Sequence, residues 1–341
     1  MLRKTTVAKI DGSVRPLLLA GSLLAALLLA CALSLLVGSR PLAPATVLHA
    51  LLDPQPIPEH AIVRDSRIPR TLAGLLVGAG LGAAGAMMQT LTRNPLAEPG
   101  LFGVNAGAAL AVVIAGAALA DRGPQVAVLA ATFGALLATT GVIAIGARAG
   151  RRVDPARLAL AGVALSAVLL SIARGLSLAH PQAFDRLRAW HLGTIDVHSA
   201  TPLIAAAPIL LAGLALAALL GPALDAIDLG EDSARALGAN VGLIRILATA
   251  AIAMTAGAAT AVSGGVAFVG LLAPHLMRRL IGRRQRGIIL GSIPVAAVLV
   301  LLGDVLGRIA LPGEMPVGVT LALIGGPALI VLARSRELRE L

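Results

Sequence analysis

The chain of 341 residues has no tyrosine, one tryptophan, four phenylalanines, one cysteine and only two lysines. Both lysines, Lys4 and Lys9, precede the first apolar run. A P-loop needs GxxxxGK[ST], with a lysine reaching the phosphates. The chain is therefore no P-loop ATPase, and any ATP-driven task requires a separate subunit. One cysteine excludes an internal disulfide. Cys31 follows Leu28-Leu29-Ala30, as at a lipoprotein cleavage site, but the apolar run Leu17–Val37 is 21 residues, too long for a signal-peptide core. The scarcity of aromatics removes an aromatic belt, so arginines must mark the membrane interfaces. The six histidines are scattered, and no cluster of His, Asp or Glu falls within an apolar run. No cofactor and no metal site is expected, and a metal that crosses here does so inside an organic complex.

Charge is scarce too: 13% of residues are charged and 57% hydrophobic, against about a quarter and about half in soluble domains. This is the composition of an all-α, polytopic membrane protein, a single transmembrane domain over 1–341 with a cytoplasmic N-terminal segment over 1–16. Ten spans are expected: 17–37, 71–91, 99–120, 124–147, 158–178, 201–224, two from the uncharged run Ile246–Met277, then 288–309 and 315–333. The run Ile246–Met277 has 32 residues, too many for one span and too few for two straight ones of about 20 each. Ser263-Gly264-Gly265 and Pro274 mark a break near 263–267, tolerated at that depth only when buried in protein or lining a cavity. Gly38–Arg70 reads as a polar, proline-rich connection, and Pro181–Leu192 as a short amphipathic surface segment.

The run from Thr71 to Leu91 is the most telling. It has 21 uncharged residues, roughly 30 Å of helix, behind Arg67 and Arg70. Gly74, Gly78 and Gly82 share one face, which suits close approach by another helix. Gln89 ends the span, Asn94 lies in the following turn and Asn105 in the next span; these amides either hydrogen-bond between helices or line a pathway.

The net charge of +11 suggests nucleic acid, but the arginines sit singly or in short clusters between apolar runs, as cytoplasmic flanks do. With both termini inside, inner loops receive Arg93; Arg148, Arg151, Arg152 and Arg157; Arg235 and Arg245; Arg278, Arg279, Arg283, Arg284 and Arg286; the tail has Arg334, Arg336 and Arg339. Arg40, Arg64, Arg67, Arg70, Arg186 and Arg188 dissent, and are candidates for an external role. Asp304, the lone carboxylate within the spans, stands four residues before Arg308, in order for an i,i+4 ion pair. Proton- or sodium-coupled carriers usually keep more intramembrane carboxylates, which weighs against an ion-gradient-driven secondary transporter.

The cytoplasmic loop 225–245 contains its own short helix: Glu231 and Asp232 in the first turn, Arg235 later, Gly238 past the end. Ala234 and Leu237 give it an apolar strip. So brief a helix needs something to pack on, either its own bundle or a partner.

Several blocks resemble the ATP-binding-cassette importer permeases for iron chelates, haem and cobalamin (FecCD type). They are Arg67–Gln89, Arg93-Asn94-Pro95-Leu96-Ala97-Glu98-Pro99 through Gly103–Ala108, Trp190-His191-Leu192-Gly193, Leu229-Gly230-Glu231 with Ala234 and Leu237-Gly238, Phe268–His275, and Gly303-Asp304 through Glu314–Gly318. They run in order over nearly the whole chain. The resemblance implies a type II ABC importer permease fold with ten spans in the bacterial inner membrane. It also implies a second permease, copy or paralogue, two ABC ATPase subunits inside and a substrate-binding protein outside. It assigns ATPase docking to Leu229, Gly230, Glu231, Ser233, Ala234, Arg235, Leu237 and Gly238, and binding-protein docking to Arg67, Arg70 and Arg308. Arg174, near the outer end of span 5, and His191 depart from the family's apolar or small residues. Arg174 either snorkels outward, the favoured reading, or faces an anionic substrate. The function expected is inward transport of an iron–siderophore complex, with cobalamin or haem as the alternative cargo.

Overall fold

The computed structural model describes residues 14–118, 123–146, 155–178, 181–282, 284–311 and 313–334. Arg3, Lys4, Lys9, Asp121, Arg122, Arg148, Arg151, Arg152, Arg283, Arg336 and Arg339 lie outside these residues.

Among the described residues all regular structure is helical. Helices α1 (Val14–Leu36) and α2 (Pro44–Leu52) are followed by α3 (Pro58–Ala61), a π-helical turn (Ile62–Arg67) and α4 (Ile68–Thr92) in one unbroken run. A 3-10 turn (Pro99–Phe102) leads to α5 (Val104–Ala118), α6 (Pro124–Gly146), α7 (Pro155–Leu178), α8 (Pro181–Leu192) and α9 (Thr201–Asp228). The chain ends through α10 (Glu231–Ala236), α11 (Val241–Ser263), α12 (Val269–Ile281), α13 (Gln285–Ala310) and α14 (Val317–Arg334).

Among the described residues seven helices are long and apolar enough to cross a bilayer; the shorter Val104–Ala118 and Val317–Val331 and the 13-residue α12 bring the set to the ten expected spans. The proline-rich connection is the main difference from the sequence reading, since most of it is helical. Pro44 and Pro58 start helices instead of breaking them, each in the first turn, where no N–H is needed.

Helix α4 forms the axis of the bundle. In its most apolar stretch 78% of residues are buried, against 11% in α1 and 17% in α7. Its glycines make this possible. A β-carbon at Gly78 would run into the backbone of Ala297, and one at Gly82 into the Ser292 carbonyl, so the 74/78/82 face seats α13. Gly80 meets the Thr255 carbonyl of α11, and Gly85 meets Gly270 of α12. Lipid tails are as apolar as leucine, so backbone-to-backbone contact, gained by deleting side chains, holds such a bundle together.

The break between α11 and α12 falls at residues 264–268, where the sequence placed it. Gly264 (φ 69°) and Phe268 (φ 68°) are left-handed. The freed peptide groups are met by protein. The Gly265 N–H donates to the Trp190 carbonyl (2.8 Å), and the Thr194 N–H to the Ser263 carbonyl (2.8 Å). The Gly318 N–H donates to the Gly193 carbonyl (2.9 Å). A β-carbon at Gly193 would strike the Gly265 carbonyl, so the Trp190–Gly193 block is a backbone clamp on the break.

Candidate functional site

Three groups of polar residues interrupt the apolar bundle. The first lies where α1, α4 and α13 end together. Helix α1 finishes with carbonyls that have no helical partner, and two arginines supply donors. Arg67 donates from Nη1 to the Leu35 (2.6 Å) and Leu36 (2.8 Å) carbonyls and from Nη2 to that of Arg40. Arg308 donates from Nη1 to the carbonyls of Ser34 (2.8 Å) and Val37 (3.0 Å). Two cations at a helix C-terminus also oppose its negative dipole end.

Asp304 holds the same cluster from α13. It accepts from Arg308 Nε (2.8 Å), the i,i+4 pair expected from sequence, and from Arg70 Nη2 (2.8 Å) and Nε (3.1 Å). Arg70 Nη1 reaches two more carboxylates, Glu314 (2.6 Å) and Asp196 (3.2 Å). Asp304 is 1% exposed, Arg67 and Arg308 4%, Arg70 6%. Three arginines thus face three carboxylates, mostly out of water. Burial pushes the Glu314 carboxyl up, but the hydrogen bond and charge of Arg70 outweigh it and hold the group below its usual value. The three candidate docking arginines lie in one cluster, and their guanidinium groups are engaged within the chain.

The second group joins the α4–α5 turn to α12. Pro274 has no N–H, so the Gly270 carbonyl four residues earlier loses its helical donor. Gln89 Nε2 supplies one, 3.3 Å away, and also reaches the Leu271 carbonyl (3.3 Å), while its Oε1 accepts from Arg278. Gln89 is thus a structural hydrogen-bonding residue. Asn94 closes its own turn, accepting from the Leu96 N–H (2.9 Å). Asn105 keeps its Oδ1 buried with no partner among the described residues. Glu98, 8% exposed, accepts from the Phe268 N–H at the start of α12. Burial pushes its carboxyl up to about 7 against the opposing effect of that hydrogen bond.

The third group is the loop around α10. Gly230 (φ 117°) and Gly238 (φ 82°) bracket the helix in conformations that favour glycine. The apolar strip read from the sequence is divided: Ala234 is fully buried against the bundle, whereas Leu237 and, before the helix, Leu229 are each 70% exposed. Arg235 pairs with Asp232 across one turn (3.3 Å). The loop is tied inward at two points. Arg93 Nη2 donates to the Ile227 carbonyl (3.0 Å), and the Gln285 N–H donates to Asp225 (2.6 Å). Between these ties lies a polar cavity of about 280 Å³ lined by Gln89, Arg93, Asp228, Arg278 and Gln285 among others.

The FecCD transport family matches residues 26–335 of this bundle. The chain belongs to the FecCD transport family. It is 44% identical to the ferric enterobactin transport system permease FepD of Escherichia coli over 92% of this chain and 94% of that protein. It is 36% identical to the iron(III) dicitrate permease FecC of the same organism (94% and 98% covered). Identity to the hemin permease HmuU of Yersinia pestis is 35% (80% and 84% covered). A solved structure described as a metal-chelate type ABC transporter in an inward-facing conformation superposes with a TM-score of 0.77 at 25% identity, covering 94% of this chain and 99% of that one. The fold is therefore that of a type II ABC importer permease. The chain is a multi-pass inner-membrane transport permease and not an enzyme, and ATP hydrolysis belongs to a separate subunit.

Within this FecCD permease the sequence reading did not link Arg70 to its carboxylates or Gln89 to Pro274, and it gave Glu98 no role. Glu314 was within reach, since it opens the Glu314–Gly318 block; Asp196 carries no sequence signal.

Proposed function

We propose that this permease carries an iron–siderophore complex inward by alternating access, driven by ATPase subunits that grip the loop Leu229–Gly238. The observation that carries the reading is the 44% identity, over nearly full length, to a permease named for a ferric siderophore. Exposed Leu229 and Leu237 on a loop anchored by buried Ala234 support the docking role, because an apolar pair held out on a firm base suits a partner's groove. The ties from Arg93 and Gln285 give the loop a mechanical path to α4 and α13.

On the outer side, a substrate-binding protein would settle over the Arg67–Arg70–Arg308 cluster. Glu314 and Asp196, the partly exposed members, are the carboxylates that an incoming acidic residue would replace on Arg70. A second permease, copy or paralogue, completes the pathway, and both termini lie in the cytoplasm.

The test is ATP-dependent uptake of radiolabelled iron, offered as a panel of siderophores and haem beside labelled cobalamin, in cells with and without the gene. Loss of uptake for one ferric siderophore is expected. Loss confined to cobalamin or haem would reassign the cargo, and uptake that survives loss of the ATPase would refute the ATP-driven reading.

A further inference from the structure

Helix α2 exposes leucine where α1 leaves the apolar layer. It is nine residues long and contains no Asp, Glu, Lys or Arg. The charge-free stretch is wider than the helix and runs from Pro41 to Leu52, between exposed Arg40 and exposed Asp53. One side of α2 is buried. Val47 and Ala50 pack with Val63 of the π-helical turn against Leu35, Leu36 and Ile68. Leu48, Leu51 and Leu52 are left open, at 55%, 46% and 76% exposure. At about 100° per residue these three share an arc of about 100°. Pro44 lies within that arc and Ala45 at its edge, and both are exposed as well. The polar side chains of the helix, Thr46 and His49, fall outside it. Helix α2 thus has one apolar face on protein and a second that the described residues leave uncovered.

Water does not suit the second face, because a helix on an aqueous surface turns polar and charged residues outward. Its depth and its neighbours tell what covers it. Leu35 and Leu36 are the last residues of α1. The apolar run they close, Leu17–Val37, is long enough for the hydrocarbon core. A helix packed on them lies at the edge of that layer. Among the described spans α1 is also the least buried, at 11%, and it exposes Leu24, Leu28 and Leu29 along its length. Helix α2 therefore sits at the open periphery of the bundle, where lipid is the neighbour. The composition of the face agrees. Contact surfaces for proteins are enriched in aromatic residues and arginine, and this face is aliphatic throughout.

We propose that α2 is an interfacial helix, with its Leu48–Leu51–Leu52 face set into the boundary between lipid headgroups and acyl chains on the side of the membrane where α1 ends. Helices of this kind sink their apolar side about 5–10 Å into that boundary. Arg40 and Asp53, at the two ends of the charge-free stretch, keep their charges in water. Through Val63 the lipid contact also fixes the height of the π-helical turn that carries Arg67. The inference needs only a chain that spans a membrane, so neither the cargo nor the ATPase enters it.

The test uses tryptophan fluorescence of the full-length chain in phosphatidylcholine nanodiscs. Trp190→Phe first removes the sole tryptophan. Its indole Nε1 has no hydrogen-bond partner to lose among the described residues, and the clamp on the break uses its backbone carbonyl. In that background Leu51→Trp, Leu52→Trp and His49→Trp each place one probe on α2, and Leu24→Trp places a reference within α1. Each protein is measured with plain lipid, with lipid brominated on the acyl chain near the headgroup or near the chain end, and with acrylamide in the water. Leu51→Trp and Leu52→Trp should lose as much emission to brominated lipid as Leu24→Trp does, more to bromine near the headgroup than to bromine near the chain end, and little to acrylamide. His49→Trp, outside the arc, should lose less to brominated lipid than either. Leu52→Trp, at the most exposed site, decides the matter if Leu51→Trp gives no folded protein. Emission from both arc positions that brominated lipid leaves unchanged would overturn the proposal. Strong acrylamide quenching in that case would put the face in water, and quenching by neither agent would put it under protein, such as a second copy of the chain.

Discussion

Removing the carboxylate of Asp304 tests the outer cluster most severely. The group is 1% exposed and accepts from two arginines, themselves 6% and 4% exposed. In Asp304→Asn the shape and one accepting oxygen are kept, but the negative charge is lost: the remaining charged partners of Arg70 are the partly exposed Glu314 and Asp196, and Arg308 keeps only neutral acceptors, the carbonyls of α1, the Ser34 hydroxyl and the amide. Breaking one buried pair costs about 3–5 kcal/mol, because the surviving charge stays desolvated. Glu314 and Asp196 compensate Arg70 in part, so the loss is set at about 3 kcal/mol, chiefly from Arg308. For a chain of this size that corresponds to a fall in Tm on the order of 5 °C. Thermal unfolding of the purified permease in detergent measures it, and raising the salt concentration should leave the deficit unchanged, since buried charges are little screened. The double variant Asp304→Leu with Arg308→Leu should recover part of the loss, because no desolvated charge is left at Arg308, although the Ser34 and Val37 carbonyls lose their donors. If Asp304→Asn unfolds like the wild type, or the double variant is worse than both single ones, the cluster is not the buried ion network argued above.

The remaining expectations concern α12, the loop and the bundle axis. Gln89→Leu should cost about 1–3 kcal/mol by stranding the Gly270 carbonyl, and adding Pro274→Ala should restore stability, because the new N–H reaches that carbonyl; no rescue would sever the link between the two residues. Glu98 has its folded value raised to about 7, above an unfolded value near 4.3. The stability this group contributes should therefore be full below about pH 4.3, be lost as pH rises from there to about 7, and level off above; Glu98→Gln should flatten the profile between about pH 4.5 and 7, and an unchanged slope there would count against it. Leu237→Asp, at a side chain 70% exposed, should alter stability by less than about 0.5 kcal/mol yet abolish co-purification with the ATPase; normal co-purification would release the loop from that role. Gly78→Leu cannot fit against the Ala297 backbone, and wild-type yields of folded protein would contradict the central place of α4.

What could be read in advance follows from where the signal was local. Ten spans, the break at 263–267 and the short helix ending before Gly238 were visible because hydrophobic run length, adjacent glycines and helix punctuation are properties of contiguous residues. The pair of Asp304 with Arg308 was visible for the same reason, being one helical turn apart. The third partner, Arg70, was not, since it lies 234 positions away from Asp304. The helices within Gly38–Arg70 were lost because a proline at a helix start and a proline in a loop look alike without the flanking geometry. Gln89 was legible as a buried amide but not as the replacement donor for Pro274, a need that appears only once α12 is known to run past α4.

The two ends of the bundle are built on opposite principles. At the end where α1 and α13 finish, α1, α4 and α13 are fastened by charge-assisted hydrogen bonds in a mostly buried cluster, so relative movement there would strand desolvated charges at a cost of several kcal/mol. At the loop end, α9 is fastened to the α4–α5 turn by one bond from Arg93 and to α13 by one from the Gln285 N–H, beside a polar cavity that water can fill. Each of those bonds is worth about 1 kcal/mol net, and water can replace it when it opens. A push on Leu229 and Leu237 would therefore meet least resistance at the loop end. The Gln89 bonds to the Gly270 and Leu271 carbonyls and the close approach of Gly85 to Gly270 make α12 move with α4, away from the clamped break between α11 and α12. Under the proposed drive, motion that begins at the loop would be directed into α12 and the α4–α5 turn, with the Arg70–Asp304–Arg308 cluster as the fixed end.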